Sequence, residues 1–131
     1  LSIDKTFAGN FRSDGMIVAT PTGSTGYSLA SGGPILDAEM RALIITPICP
    51  FTLSNRPVVT GEKEIVLEVL EHQRTDIVLT VDGQVLFELV ENDKIVVEMS
   101  SKRLRLIHST KRNFTEVIRE KLHWAGDMRN A

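Results

Sequence analysis

This sequence predicts a mainly β fold, a two-layer antiparallel, sandwich-like domain with a single carboxy-terminal helix. Three observations carry that expectation. Seven or more short apolar or alternating runs are separated by turn-forming residues, the pair Asp82-Gly83 stands between two of those runs, and a helical period emerges only after Asn113.

Taken in order, residues 2–7 and 11–14 read as short extended segments around a turn at Ala8-Gly9-Asn10. Met16 to Thr20 is apolar and partly β-branched, as a buried strand requires, and Pro21 closes it because proline brings no N–H to a ladder. Thr22 to Gly33 reads as loop, with one helical turn over Ser28 to Ser31. Ala42 to Ile48 is the second buried strand, followed by polar turn residues and an edge strand entered through Pro57. Glu64 to Glu71 is apolar on both faces and predicts a strand between layers. Ile77 to Val81 and Gln84 to Val90 form a hairpin through Asp82-Gly83. Lys94 to Met99 and Arg103 to His108 add two more strands. Asn113 caps the helix, in which Phe114, Val117, Ile118, Lys121 and Leu122 recur at intervals of three and four.

Composition narrows the function classes. The chain has 131 residues, enough for one domain with a core, and its 42% apolar and 24% charged content is that of a globular protein. A net charge of −2 offers no general attraction to a polyanion, so no nucleic-acid partner is expected. No apolar run is long enough to span a bilayer and nothing at the start resembles a signal peptide, so no membrane association and a cytoplasmic location are expected. Cys49 is expected to be a buried small hydrophobe in ALIITPICP, and its spacing from His72, His108 and His123 matches no recognised metal site. The chain opens at Leu1 inside an extended pattern, which predicts a fragment of a longer polypeptide.

The chemistry concentrates in DGMIVATPTGSTGYSLASGGP, residues 14–34. Of the 14 residues from Thr20 to Gly33, six carry an aliphatic hydroxyl and four are glycine. Glycines permit close backbone approach, and consecutive N–H groups with short hydroxyls make a concave site for a pyrophosphate or ribose. The same composition also serves a plain connection, and the stretch is neither GxGxxG nor GxxxxGK followed by Ser or Thr. Tyr27, the sole tyrosine, could stack on a base or anchor the loop to the core. Asp14 could accept from an exocyclic amine or amide, or close an Asx-type turn; Arg12 could neutralise a phosphate or pair with Asp14.

The two long motifs together, DGMIVATPTGSTGYSLASGGPI and ITPICPFTLSNRPVV, closely resemble the carboxy-terminal domain of NAD kinases, and the likeness continues through the DGQ turn at Asp82 to Gln84 and NFTEVIREKLHW. The resemblance implies one domain over residues 1–131, the substrate-binding half of a two-domain enzyme. That enzyme phosphorylates the 2′-hydroxyl of the adenosine ribose of NAD, taking the terminal phosphate from ATP or polyphosphate with Mg²⁺ or another divalent metal, and giving NADP. It also implies a homodimer or homotetramer formed through the β domain. By the same likeness, the NAD-binding residues are Asp14, on an amino or carboxamide group; Arg12 nearby; Thr22, Thr25, Gly26, Tyr27, Ser28, Leu29 and Ala30 in the loop, some acting across a subunit interface; and Gln84 on the hairpin turn. No catalytic residue and no metal ligand is expected within the chain, because the family's GGDG motif and Asn-Glu pair lie in the amino-terminal domain. The alternative is a non-catalytic NAD(H)- or NADP(H)-binding regulatory or scaffold domain. Three positions depart from the family pattern: Gly26 stands where alanine is usual, Ala30 where serine is common, and Phe51 where histidine often follows PICP.

Overall fold

The computed structural model describes residues 1–70, 76–102, 107, 113–124 and 126. Nine strands occur among them: β1 (Ser2–Ile3), β2 (Thr6–Phe7), β3 (Gly15–Ala19), β4 (Leu43–Ile48), β5 (Val58–Thr60), β6 (Ile65–Glu68), β7 (Ile77–Val81), β8 (Val85–Leu89) and β9 (Lys94–Val97). The helices are α1 (Tyr27–Ala30), preceded by a 3-10 turn over Thr22–Thr25, and α2 (Phe114–Leu122). The expected strand from Arg103 to His108 lies outside the described residues, save Ile107, as does His72.

Every ladder is antiparallel. Four strands pair in the order β2-β1-β6-β9, three in the order β3-β4-β5, and β7-β8 stands as a separate hairpin. The predicted two layers are the first two sheets, and the hairpin adds a third ladder. Strand β4 explains why its sequence is apolar without interruption. Leu43 and Ile45 turn toward the four-stranded sheet, where they meet Ile65 and, around it, Ile3, Met16, Val18, Leu67 and Val97. Ile44 and Thr46, on the opposite face, are equally buried, so both sides of β4 are covered. Pro47 is tolerated because β5 pairs only with Leu43, Ile44 and Ile45, leaving the proline past the end of that ladder.

Strand boundaries differ from the expectations by a residue or more, and two local readings change. Residues 2–7 do not run straight into a turn at Ala8: the chain reverses at Asp4 and Lys5, both in the left-handed region (φ 50° and 62°). That two-residue turn matches strand twist. It also lets Ser2 and Ile3 pair with Val66 and Ile65, with the Asp4 N–H donating to the Glu64 carbonyl at 2.8 Å. Residues 11–14 form no strand. Two backbone bonds tie them to the end of β4 and the segment after it: Asp14 N–H donates to the Ile48 carbonyl and Phe51 N–H to the Arg12 carbonyl, each at 2.9 Å.

The hairpin turns at Asp82 (φ 50°) and Gly83 (φ 68°), as Asp-Gly predicts. Its register places Ile77, Leu79 and Val81 opposite Leu89, Phe87 and Val85, which makes one face wholly apolar. The chain divides into two units, Leu1–Met99 and Ser100–Ala131. In the second, Asn113 caps α2 through a reciprocal box: Glu116 N–H donates to Asn113 Oδ1 at 2.9 Å, and Asn113 N–H to Glu116 Oε2 at 3.0 Å. Asn113→Ala is expected to cost the helix about 1 kcal/mol, seen as faster hydrogen exchange at the Glu116 amide. Unchanged exchange there would show that the box is not formed in solution.

Candidate functional site

Strand β3 organises the predicted residues into two groups. At its entrance, Arg12, Ser13, Asp14, Cys49 and Phe51 line a cavity of about 210 Å³. Antiparallel pairing of Gly15 with Ile48 brings the two chain segments side by side there. Arg12 and Asp14, both exposed, do not form an ion pair with each other; the Arg12 guanidinium lies 5.2 Å from the centroid of the Phe51 ring, a cation–π distance. The cavity therefore offers a carboxylate, a guanidinium and an aromatic edge within a few residues of one another.

Cys49 corrects an expectation. It is exposed in this cavity, not buried, because the chain leaves β4 through a left-handed residue at Cys49 (φ 44°) and swings the thiol outward ahead of Pro50. An apolar run in the sequence carries no sign of such an exit. Phe51 was legible only as a departure from the family pattern, and Ser13 and Cys49 carried no functional signal.

The second group is the loop from Thr22 to Gly33, which leaves the far end of β3 and folds back over the outer face of the β3-β4 pair. Its hydroxyls divide by direction. Ser24 and Ser28 are buried, whereas Thr22, Thr25, Gly26, Tyr27 and Ala30 are exposed and Leu29 is half-buried. Ser24 Oγ accepts from the Leu36 N–H at 3.1 Å. Ser28 Oγ shares a hydrogen bond of 3.0 Å with Thr46 Oγ1, and Thr46 sits opposite Ile17 in the sheet. Gly33 N–H donates to the Ser28 carbonyl at 2.8 Å. The expected helical turn forms one residue early, over Tyr27–Ala30, since Gly26 precedes it and the Ser31 N–H closes on the Tyr27 carbonyl at 3.0 Å.

The result is a braced loop with Tyr27 turned out and 65% exposed. Successive helical residues point about 100° apart, so seating Ser28 against the sheet sends Tyr27 toward solvent. Along β3 the two groups lie near each other: Asp14 precedes the register of Ile17 and Thr46 by three residues, about 10 Å at a strand's rise. Gln84 joins neither group; it is exposed at the tip of the separate β7-β8 hairpin. A second concavity of about 370 Å³, between the β1-β2 turn and β5, is lined by none of the predicted residues.

Among the described residues no three His, Cys, Asp or Glu side chains are gathered for a metal ion, and Asp14 shares its cavity with a cation. These residues do not fit a protein-held metal. No described helix is long and apolar enough to cross a membrane.

Known proteins share this sequence and shape. Over 115 residues the chain is 51% identical to an NAD kinase of Magnetococcus marinus, an alignment that takes in 87% of this chain and 38% of the relative. It is 45% identical over 129 residues to an NAD kinase of Cellvibrio japonicus, covering 98% of this chain and 43% of that one. In three dimensions it resembles the yeast NADH kinase crystallised with NADH, with a TM-score of 0.86 and 29% identity across 99% of this chain and 41% of the yeast protein. An NAD kinase from Archaeoglobus fulgidus in complex with ATP gives a TM-score of 0.67 at 31% identity, over 76% and 38% of the two chains. The chain thus spans about two fifths of the length of the curated relatives it matches. Residues 1–109 match the ATP-NAD kinase C-terminal domain as a family, and the chain belongs to the NAD kinase family as its carboxy-terminal domain.

Proposed function

We propose that this chain is the dinucleotide-binding domain of an NAD kinase, over residues 1–131. The observation that carries the reading is the likeness across almost the whole chain to a kinase whose structure holds NADH. The whole enzyme moves the terminal phosphate of ATP, or of polyphosphate, to the 2′-hydroxyl of the adenosine ribose of NAD. The likeness to a relative bound to ATP supports a nucleotide donor.

In this reading Tyr27 and the exposed hydroxyls of Thr22 and Thr25, with the backbone of Gly26 and Ala30, contact the adenosine and nicotinamide portions. Asp14 accepts from an amino or carboxamide group, and Arg12, steadied against Phe51, offers its charge to a phosphate. Gln84 approaches the ligand from the hairpin. Some of these contacts are completed by a second subunit, in a homodimer or homotetramer. The aspartate that activates the ribose hydroxyl comes from a GGDG segment absent from this sequence. Phosphoryl transfer needs acceptor, donor and divalent ion gathered in line, and the ion is held by groups other than those described here. The setting is cytoplasmic.

The test is direct. The intact polypeptide, incubated with NAD, ATP and Mg²⁺, is expected to accumulate NADP, measured by chromatography. NAD binding without any NADP formed, with ATP or polyphosphate, would instead support the non-catalytic regulatory domain.

A further inference from the structure

Ser28 was expected among the ligand contacts, yet it is 1% exposed and its hydroxyl faces the sheet. Its partner Thr46 is 0% exposed, in the middle of β4. Thr46 belongs to a strand whose other residues are aliphatic or proline, so its hydroxyl is an exception within a run of apolar side chains. A buried hydroxyl needs a partner, and here each supplies the other at 3.0 Å.

Gly33 closes the arrangement from above. Its N–H holds the Ser28 carbonyl, and a Cβ built on it would lie 2.3 Å from Ser28 Oγ and 2.9 Å from Thr46 Oγ1. The chain thus passes directly over the hydroxyl pair and covers the Ser28 side chain.

We propose that the Ser28 and Thr46 hydroxyls, sealed by Gly33, are positioning residues for the bound dinucleotide: they fix where α1 sits on the sheet and hence where Tyr27 stands, without touching the ligand. The proposal rests on the reading of this loop as the dinucleotide-binding wall. An apolar pair of similar volume would fill the same space but has no directional preference. A hydrogen bond fixes both distance and angle. Such preorganisation of a binding loop acts on affinity, by reducing the ordering that binding would otherwise require.

The experiment separates positioning from simple stability in the intact polypeptide, with NAD as the calorimetric titrant and Tm read in parallel. Thr46→Val strands the Ser28 hydroxyl, so both Tm and affinity are expected to fall. The double variant Ser28→Ala/Thr46→Val removes both polar partners, a change that can be nearly neutral for folding. Its Tm is expected within about 3 °C of the original, while NAD affinity stays about tenfold weaker. Thr46→Ser keeps the hydroxyl and is expected to retain affinity. A double variant that binds NAD as tightly as the original overturns the proposal. Should the double variant fold poorly, Thr46→Ser and Thr46→Val decide: equal affinity in those two also overturns it. Tyr27→Ala is the separate control, because unchanged affinity there defeats the dinucleotide-binding reading itself and not the bracing of the loop.

Discussion

Gly33→Ala is expected to destabilise the protein by about 2–3 kcal/mol, near the upper range for forcing an extra methyl into a packed site. The added Cβ would come within 2.3 Å of Ser28 Oγ, 2.8 Å of the Ser28 carbonyl and 2.9 Å of Thr46 Oγ1. Rotating the Ser28 hydroxyl away would relieve the closest contact but break its hydrogen bond to Thr46. The remaining close contacts are to a backbone carbonyl and to a side chain on the central strand of its sheet, neither of which yields easily. Gly32 provides the matched comparison: its φ of +87° disfavours a side chain, but nothing stands within 4 Å of its Cβ position. Gly32→Ala should therefore cost only the backbone conformation, about 1 kcal/mol. Urea unfolding of the intact polypeptide reads both, as a lowered midpoint at unchanged slope. Equal stability of Gly33→Ala and the original would refute the close packing described for this loop.

Tyr27→Ala should show the opposite pattern, a large loss of NAD affinity with little change in stability. The ring is 65% exposed and its hydroxyl makes no bond to another described residue, so folding should lose no more than about 0.5 kcal/mol, as at an ordinary surface position. Stacking of a base on an aromatic ring contributes about 1–3 kcal/mol. A loss of about 2 kcal/mol corresponds to a dissociation constant roughly thirtyfold weaker. Tyr27→Phe keeps the ring and isolates the hydroxyl, which is expected to account for a smaller share. Calorimetric titration beside thermal unfolding gives both quantities from one preparation. A lowered Tm with affinity intact would make Tyr27 an anchor of the loop, the competing role for an aromatic residue in this position.

The two variants probe opposite sides of one short helix. Gly33→Ala acts on what lies beneath α1 and Tyr27→Ala on what faces outward from it. The sequence shows a mixture of hydroxyls and glycines in this stretch but not their direction. Ser24 and Ser28 are chemically alike with the exposed Thr22 and Thr25, and only their distant partners separate them: the Leu36 N–H, 12 residues from Ser24, and Thr46, 18 residues from Ser28.

What the sequence by itself determined were the features governed by neighbours within a few residues. Asp82-Gly83 specifies a tight hairpin because both positions accept positive φ. Asn113 and Glu116 specify a helix start because their reciprocal bonds span three residues. The apolar runs of β3 and β4 mark strands, buried in β4 but only half-buried in β3, and the long motifs around them carry the family resemblance. Only the tertiary structure decided the pairing of β1 with β6, the reversal at Asp4 and Lys5, the outward turn of Cys49, the seating of Arg12 on Phe51, and the burial of Ser28 against Thr46. Those features depend on contacts between residues far apart in the chain. Such contacts form only when the whole set of strands packs together, and no local period or turn signal records them.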